Sequence, residues 1–370
     1  MSFVNTRAIL GDQVTLDALI AHTLTELNED GISDLVPYAV SYQDNLVSVN
    51  FPNVSNISNN GIANNPLLET VDIGKQCTIA TNAFRSCPNI RRLILRGTTG
   101  ISSIGSNTTL ADTKIVVKMG AIYVPRALIS AYRADQSWNT TGYTKMIKAI
   151  EDMDISSTDF SSITHTWTQI KSMVDDDSFF ASSYAEGDFK QFTYGQHTVV
   201  AEIAKINSAN KYVDFVLVSS DENVTWMSPS TTGMVAYSNT TAKARLDEIY
   251  ANELPSDLKA AITPVSKKYY VYDGTTETVT APLWFLNTKD VNASSSYLKE
   301  SEGEEYSIFS DNSKRKKYDQ ANLGQSFTWV LGSAYNSSTF VRINTSGACS
   351  SVNYLNSAPI IFGFRIQKSA

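Results

Sequence analysis

The sequence predicts an α+β chain built from two dissimilar parts, on three observations. Apolar residues recur every 22 positions from residue 35 to residue 90. Beyond residue 155 come short apolar runs punctuated by turns, with a few helical stretches among them. At 370 residues the chain also exceeds what one hydrophobic core serves. Hydrophobic residues at 42% and charged residues at 18% provide enough apolar material to fold and enough polar surface to stay soluble. The 30 Lys and Arg against 37 Asp and Glu leave a net charge of −7, the wrong sign for a phosphate-binding surface. Nucleic acid is therefore not an expected partner.

At the N-terminus, residues 1–12 lack a basic stretch followed by an apolar one, and no run approaches the length that spans a bilayer. Neither Sec export nor membrane insertion is expected. Residues 1–30 are read as an amphipathic helix or cap. Leu16, Leu19, Ile20, Thr23, Leu24 and Leu27 fall at helical spacing, and Asp12 or Thr15 can cap the first turn. Such a helix either docks and oligomerises or lies as a lid over the next element.

Residues 31–150 repeat. Leu46, Leu68 and Ile90 form one column at a spacing of 22, Leu35, Ile57 and Ile79 a second, and Val40, Ile62 and Phe84 a third. Alternating strand-like phrases accompany them at 46–51, 68–73 and 90–95, and the turns before the second and third carry Asn64-Asn65-Pro66 and Ser86-Cys87-Pro88. One strand per coil, stacked, is a solenoid. The phrase Ile79-Ala80-Thr81-Asn82-Ala83-Phe84-Arg85-Ser86-Cys87-Pro88-Asn89-Ile90 resembles the BspA-type leucine-rich repeat. The neighbouring coils depart from that pattern, with Val40 and Ile62 in place of Phe and Asn65 in place of Cys. Ile122 to Tyr132 and then Trp138 resemble the strand-Pro-helix closing cap of such solenoids, with Pro125 suited to a first helical turn. So short a solenoid is expected to serve as a spacer or a secondary binding face.

Glu151 to Thr158 is polar and Ser-rich and reads as a linker, with a domain boundary near residue 155. Strands are expected at 198–203, 213–218, 283–286, 327–331 and 360–366, and helices at Trp167–Val174, Thr241–Tyr250 and after Pro255. The order of Trp167-Thr168-Gln169-Ile170, Glu186-Gly187-Asp188-Phe189-Lys190, Arg245-Leu246, Pro282-Leu283-Trp284-Phe285-Leu286, Trp329-Val330-Leu331-Gly332-Ser333 and Gly363-Phe364-Arg365-Ile366 resembles an uncharacterised lectin-like domain of phage and prophage tail proteins. The resemblance implies a C-type-lectin-like α+β domain over residues 156–370.

Between Trp329 and Gln367 there is no Lys, Glu, Gln, Met, Trp, Asp or His. In residues 333–358, fifteen of 26 residues are Ser, Thr, Asn or Tyr, a composition that suits adaptable recognition. Tyr supplies rigid contact area at small entropic cost, and Ser and Asn supply hydrogen bonds. The segment resembles the C-terminal variable repeat of proteins diversified by retroelements, which randomise adenines of Asn codons and so cannot reach Lys, Gln, Glu, Met or Trp. That resemblance implies a framework of Trp329, Phe340, Ile343, Gly347 and Gly363-Phe364-Arg365. The ligand-binding candidates are Tyr335, Asn336, Ser337, Ser338, Thr339, Arg342, Asn344, Ser346, Ala348, Cys349, Ser350, Ser351, Asn353, Tyr354, Asn356 and Ser357. It also implies a receptor-binding protein of a phage virion, acting at the bacterial surface on a protein or glycan. Other tail proteins would be its partners, and a homotrimer is expected.

Catalytic patterns are sparse. His22, His165 and His197 lie apart, none within HExxH, and read as helix-surface or strand residues. Asp175-Asp176-Asp177 and Asp221-Glu222 lack the alternating spacing of a calcium loop and read as solvated turns, so no cofactor is expected. Lys314-Arg315-Lys316-Lys317, the one basic run, reads as a solvated loop or a local contact to the acidic surface. Cys77, Cys87 and Cys349 have neither the number nor the spacing of a disulfide or metal set. Sulfatase-activating enzymes share the lectin-like architecture and use cysteine chemistry, but the lone Cys349 stands in the polar segment without an electropositive setting. No enzymatic activity is expected. The other reading is a bacterial surface adhesin or glycan-processing protein with the same modules.

Overall fold

The structure, a computed structural model, describes residues 20–370 apart from residues 141, 228–235, 295, 300, 301, 321–325 and 354. Helices and strands both build it, so the chain is α+β, and it divides into two compact units between Phe160 and Ser161.

In the first unit the 22-residue period is a parallel ladder. Strands β1 (Glu26–Asn28), β2 (Ser48–Phe51), β3 (Thr70–Ile73) and β4 (Arg92–Leu95) lie side by side, with Glu26 opposite Ser48, Ser48 opposite Thr70 and Thr70 opposite Arg92. Strands β5 (Ala121–Val124) and β6 (Ile147–Ala149) extend the sheet to six. A second ladder joins Leu35, Ile57, Ile79 and Ile104, and a third pairs Val40 with Ile62. All three apolar columns are buried, because each coil exposes its inward residues to the coils above and below.

The turns repeat as faithfully as the strands. Tyr38, Asn60 and Asn82 share a left-handed backbone, as do Tyr42, Asn64 and Ser86, with φ between 56° and 61°. Asn tolerates that region better than most residues, which accounts for its recurrence there. One position further on, Gln43, Asn65 and Cys87 are buried. Asn65 Oδ1 accepts from the Gln43 N–H at 3.0 Å while its Nδ2 donates to the Val40 carbonyl at 3.1 Å, and Cys87 Sγ sits 3.6 Å from the Ile62 carbonyl. Asn and Cys thus occupy the same place because each satisfies a carbonyl of the preceding coil. After Pro125, helices α1 (Ile129–Ala134) and α2 (Gln136–Thr140) bring Tyr132 and Trp138 together edge-to-face at 5.4 Å. The Tyr132 hydroxyl accepts from the Ser102 N–H, and the Trp138 indole donates to the Ser102 carbonyl.

Two expectations change in this unit. The predicted helix ends before Glu26, where the chain enters β1 with Leu27 buried; Leu16 and Leu19 lie outside the described residues. Leu24 and Leu27 stand 22 residues before Leu46 and Val49, so parallel pairing outweighs their helical spacing. The expected linker is a strap: Arg92 Nη2 donates to the carbonyls of Ile155 and Ser157 at 2.8 and 2.5 Å. Phe160, Ile150 and Met153 pack on Ile94, Ala121 and Tyr123.

The second unit centres on a five-stranded antiparallel sheet. Strands β7 (Phe189–Tyr194), β8 (His197–Asn207) and β9 (Tyr212–Leu217) are followed by β18 (Phe362–Gln367) and then β13 (Leu283–Phe285). The C-terminal strand therefore sits inside the sheet, with Phe364 stacked on Phe215 at 5.2 Å. Helix α3 (Trp167–Asp175) begins at a capping box between Thr166 and Gln169 and sets Trp167 edge-on to Phe192, Phe215 and Phe364. Helix α4 (Thr241–Glu248) continues as a π turn over Ile249–Glu253, and α5 (Ser256–Ala261) follows Pro255. Strand β10 (Asn223–Thr225) pairs with β17 (Ser357–Pro359), and β11 (Val265–Tyr270) forms a hairpin with β12 (Thr276–Ala281). Strands β14 (Trp329–Asn336), β15 (Thr339–Ile343) and β16 (Cys349–Asn353) form a three-stranded antiparallel sheet.

Candidate functional site

The polar segment 333–358 occupies β14, β15, β16 and β17 and the turns between them. Of the sixteen ligand-binding candidates, Tyr354 lies outside the described residues, and none of the other fifteen is buried. The framework residues Trp329, Phe340, Ile343 and Phe364 are buried in the core of the unit. Trp329 donates its indole N–H to the Arg315 carbonyl, and Phe340 packs on Trp226 at 4.9 Å. Gly347 adopts φ +82°, and a Cβ there would stand 1.7 Å from the Asn312 carbonyl oxygen, so glycine is required.

The pairing register separates the candidates into two ends. Thr339 lies opposite Asn353, which places the β14–β15 turn beside the turn that leaves β16. Tyr335, Asn336, Ser337, Ser338, Thr339, Asn353, Asn356 and Ser357 gather there. Asn344, Ser346, Ala348 and Cys349 belong to the opposite end, roughly 13 Å away at about 3.3 Å per strand residue. Arg342 and Ser350 lie between the two, with Arg342 Nε donating to Ser350 Oγ at 2.8 Å, and Ser351 pairs with buried Val341. The segment thus presents a cluster at one end of the sheet and a smaller group at the other, and its candidates do not share one sheet face.

Three of the asparagines hold their own turns. Asn336, Asn344 and Asn353 each accept through Oδ1 from the backbone N–H two residues on, at Ser338, Ser346 and Leu355, all at 2.9 Å. These side chains fix the loops in which their neighbours are displayed. At the first end Tyr335 stacks on Tyr297, with ring centroids 5.0 Å apart. Tyr297 and the exposed Leu355 were not among the expected residues. Tyr297 follows Ser294-Ser295-Ser296, so its stretch shares the composition of segment 333–358, and that was the available signal.

Elsewhere the polar clusters are structural. Glu222 is no solvated turn residue: it accepts from Arg245 Nε at 2.6 Å and from the Tyr194 hydroxyl at 2.9 Å. Arg245 also pairs with Glu253 across the π turn. His197 Nδ1 lies 2.8 Å from Asp221, and His165 Nδ1 2.6 Å from the Tyr184 hydroxyl. Asp175 pairs with Lys171, and Asp177 with Lys211 and Lys368. Within the basic run Arg315 and Lys317 are buried: Arg315 donates to the Val291 and Asn292 carbonyls and Lys317 pairs with Glu202. Carbonyls of a neighbouring loop draw Arg315 inward and Glu202 on β8 draws Lys317, so these two side chains are buried rather than solvated, and Lys317 makes a local contact to an acidic group. Among the described residues no group of three or more His, Cys, Asp or Glu side chains is gathered to hold a metal ion, and no helix is long and apolar enough to cross a membrane.

The model of a family described as a domain of unknown function, DUF6273, matches residues 209–361. The match takes in β9 and the whole polar segment but stops before β18, the strand that pairs with β9, so the folded unit is larger than the matched region. No curated protein and no solved structure is similar to the chain.

Proposed function

We propose that this chain is a binding protein, not a catalyst, and that it recognises a bacterial surface ligand through the cluster of exposed side chains at the 335–339 and 353–357 end of the β14–β15–β16 sheet. The observation that carries this reading is the partition of residues 329–365: eight of the fifteen described candidates are exposed and the other seven half-buried, while the apolar framework is buried. Tyr335, backed by Tyr297, supplies the anchor area, and Ser337, Ser338 and Ser357 supply adaptable hydrogen bonds on turns already fixed by Asn336 and Asn353. A site of this kind gains from several copies acting together.

In this reading residues 31–150 form a BspA-type leucine-rich-repeat solenoid that spaces a C-type-lectin-like head. The whole is a phage tail receptor-binding protein, trimeric in the virion and diversified by a retroelement. The parallel ladders at a 22-residue offset and the Asn65 and Cys87 stitches support the solenoid. The alternative is a bacterial surface adhesin or glycan-processing protein with the same modules. Sequencing the encoding DNA and its surroundings tests the reading. A near-identical template repeat, differing from codons 333–358 at adenines and lying beside a reverse transcriptase gene, is expected. Its absence would remove the diversified surface and leave an adhesin whose site is unassigned.

A further inference from the structure

A second site lies away from the polar segment, in a cleft of about 480 Å³ lined by β11, Glu302, Gly303, Glu304 and Arg365. Its base is a chain of buried charges. Arg365 donates through Nε and Nη2 to Asp214 at 2.6 and 2.8 Å, Tyr306 donates to Asp214 at 2.9 Å, and Lys267 donates to Asp290 at 2.7 Å and to the Tyr306 hydroxyl at 3.0 Å. On the rim Glu304 Oε2 accepts from Lys205 at 2.5 Å and from Tyr212 at 2.8 Å. A second carboxylate, Glu302, accepts from the backbone of Tyr270 and Thr288.

Several polar groups of the lining keep free valences. Arg365 Nη1, Glu304 Oε1 and the exposed Lys268 ammonium have no partner among the described residues. A stretch of strand edge is also open. Val271 donates to Thr275 across the hairpin, so alternate residues Lys267 and Tyr269 bond to β12 while Ser266, Lys268 and Tyr270 turn their backbone groups outward. Tyr270 N–H is taken by Glu302 and the Lys268 carbonyl by Asn287, which leaves the N–H and C=O of Ser266 together on the edge, beside the single N–H of Lys268 and the single C=O of Tyr270.

This inventory selects a ligand chemistry. The cations Lys205, Lys267, Lys268 and Arg365 are matched by Asp214, Asp290, Glu302 and Glu304, so the cleft carries no net field for an anion. The open edge is interrupted where Asn287 takes the Lys268 carbonyl and Glu302 the Tyr270 N–H, so it cannot register an added peptide strand. The free groups are donors and acceptors interleaved, and a vicinal diol satisfies such a pattern because every hydroxyl both donates and accepts. The volume falls in the range of small-ligand sites. We infer that the cleft binds a single neutral saccharide unit, with its hydroxyls shared among Lys268, Arg365 Nη1, Glu304 Oε1 and the Ser266 backbone. This site is independent of the diversified surface and would stay constant as that surface changes.

Saturation-transfer NMR on the full chain tests it, with glucose, galactose, N-acetylglucosamine and N-acetylgalactosamine as probes at about 10 mM, enough to detect a Kd of about 1 mM. Transfer from at least one of them is expected, weakened about tenfold or more in Lys268→Ala and in Glu304→Gln and unchanged in Tyr335→Ala. Absence of transfer from all four would overturn the proposal. So would transfer that persists in both cleft variants with their circular dichroism intact, or binding of glucuronate or a sugar phosphate in preference to the neutral sugars. Loss of host-cell binding in Tyr335→Ala with sugar transfer retained separates this site from the one proposed above.

Discussion

Gly347 is held at φ +82° against the Asn312 carbonyl, a place no side chain can share. Gly347→Ala is expected to lower the stability of the second unit by about 2 kcal/mol or more, read as a fall in its urea midpoint. Burial pushes the thiols of Cys77 and Cys87 up to about 12. At pH 8 about one in 10,000 of each is then thiolate, so iodoacetamide should leave both unmodified in the folded protein and alkylate both after denaturation, as mass spectrometry will show. Among the described residues Glu302 has no cationic partner, and burial raises its carboxyl above the ordinary range. Between the ordinary and the raised value the folded chain holds a proton that the unfolded chain has released, so this group makes stability decline as pH rises through that window. Glu302→Gln should flatten that part of the pH–stability curve measured by urea denaturation. At this scale Gly347 and Trp329 were named as framework through the resemblance to diversified repeats, and both take fixed places, Trp329 in the core and Gly347 against a carbonyl. Tyr297 was marked only by the composition of its stretch, and its contact with Tyr335, 38 residues away, follows only from the fold.

The coil is the element that the chain repeats, and its weak point is the side chain at the Gln43, Asn65 and Cys87 position. Asn65→Ala would leave the Val40 carbonyl and the Gln43 N–H unpaired inside the stack. At roughly 1–3 kcal/mol for each of the two orphaned groups, a loss of about 2–6 kcal/mol is expected, measurable as an earlier unfolding transition of the first unit. The period itself was legible because three columns share it, and the strands at 48–51, 70–73 and 92–95 lie within the phrases that announced them. The first coil was misread because Leu24 and Leu27 satisfy helical and 22-residue spacing alike, and only the ladder with β2 decides between them. The strap at 150–160 was hidden for a different reason: its attachment runs through backbone carbonyls to Arg92, and carbonyls leave no trace in composition. In the polar segment, the number of candidates was readable from composition. Their division between two ends of a sheet needed the register of Thr339 with Asn353.

For the whole molecule, two compact units divided at residue 160 mean two hydrophobic cores in one chain. The apolar cluster from Ile163 to Ile366 belongs wholly to the second unit, so a fragment of residues 161–370 is expected to fold and to unfold cooperatively by circular dichroism. In the sequence the boundary was placed near residue 155, from the polar, Ser-rich stretch 151–158, and the compact units divide after Phe160. The order of strands in the second unit was not legible, because β18 inserts between β9 and β13 from the far end of the chain. The buried charges beneath the cleft also set how this unit responds to temperature. Exposing apolar surface on unfolding raises the heat capacity and exposing polar surface lowers it. The interior of the second unit holds Asp214, Asp290, Glu302 and Lys267, whereas the stacked coils enclose chiefly Leu, Ile and Val. Calorimetry of the 161–370 fragment should therefore give a heat-capacity increment below about 12–15 cal/mol/K per residue. A shallower stability curve follows, so the second unit is expected to lose less stability on chilling and on warming than the first.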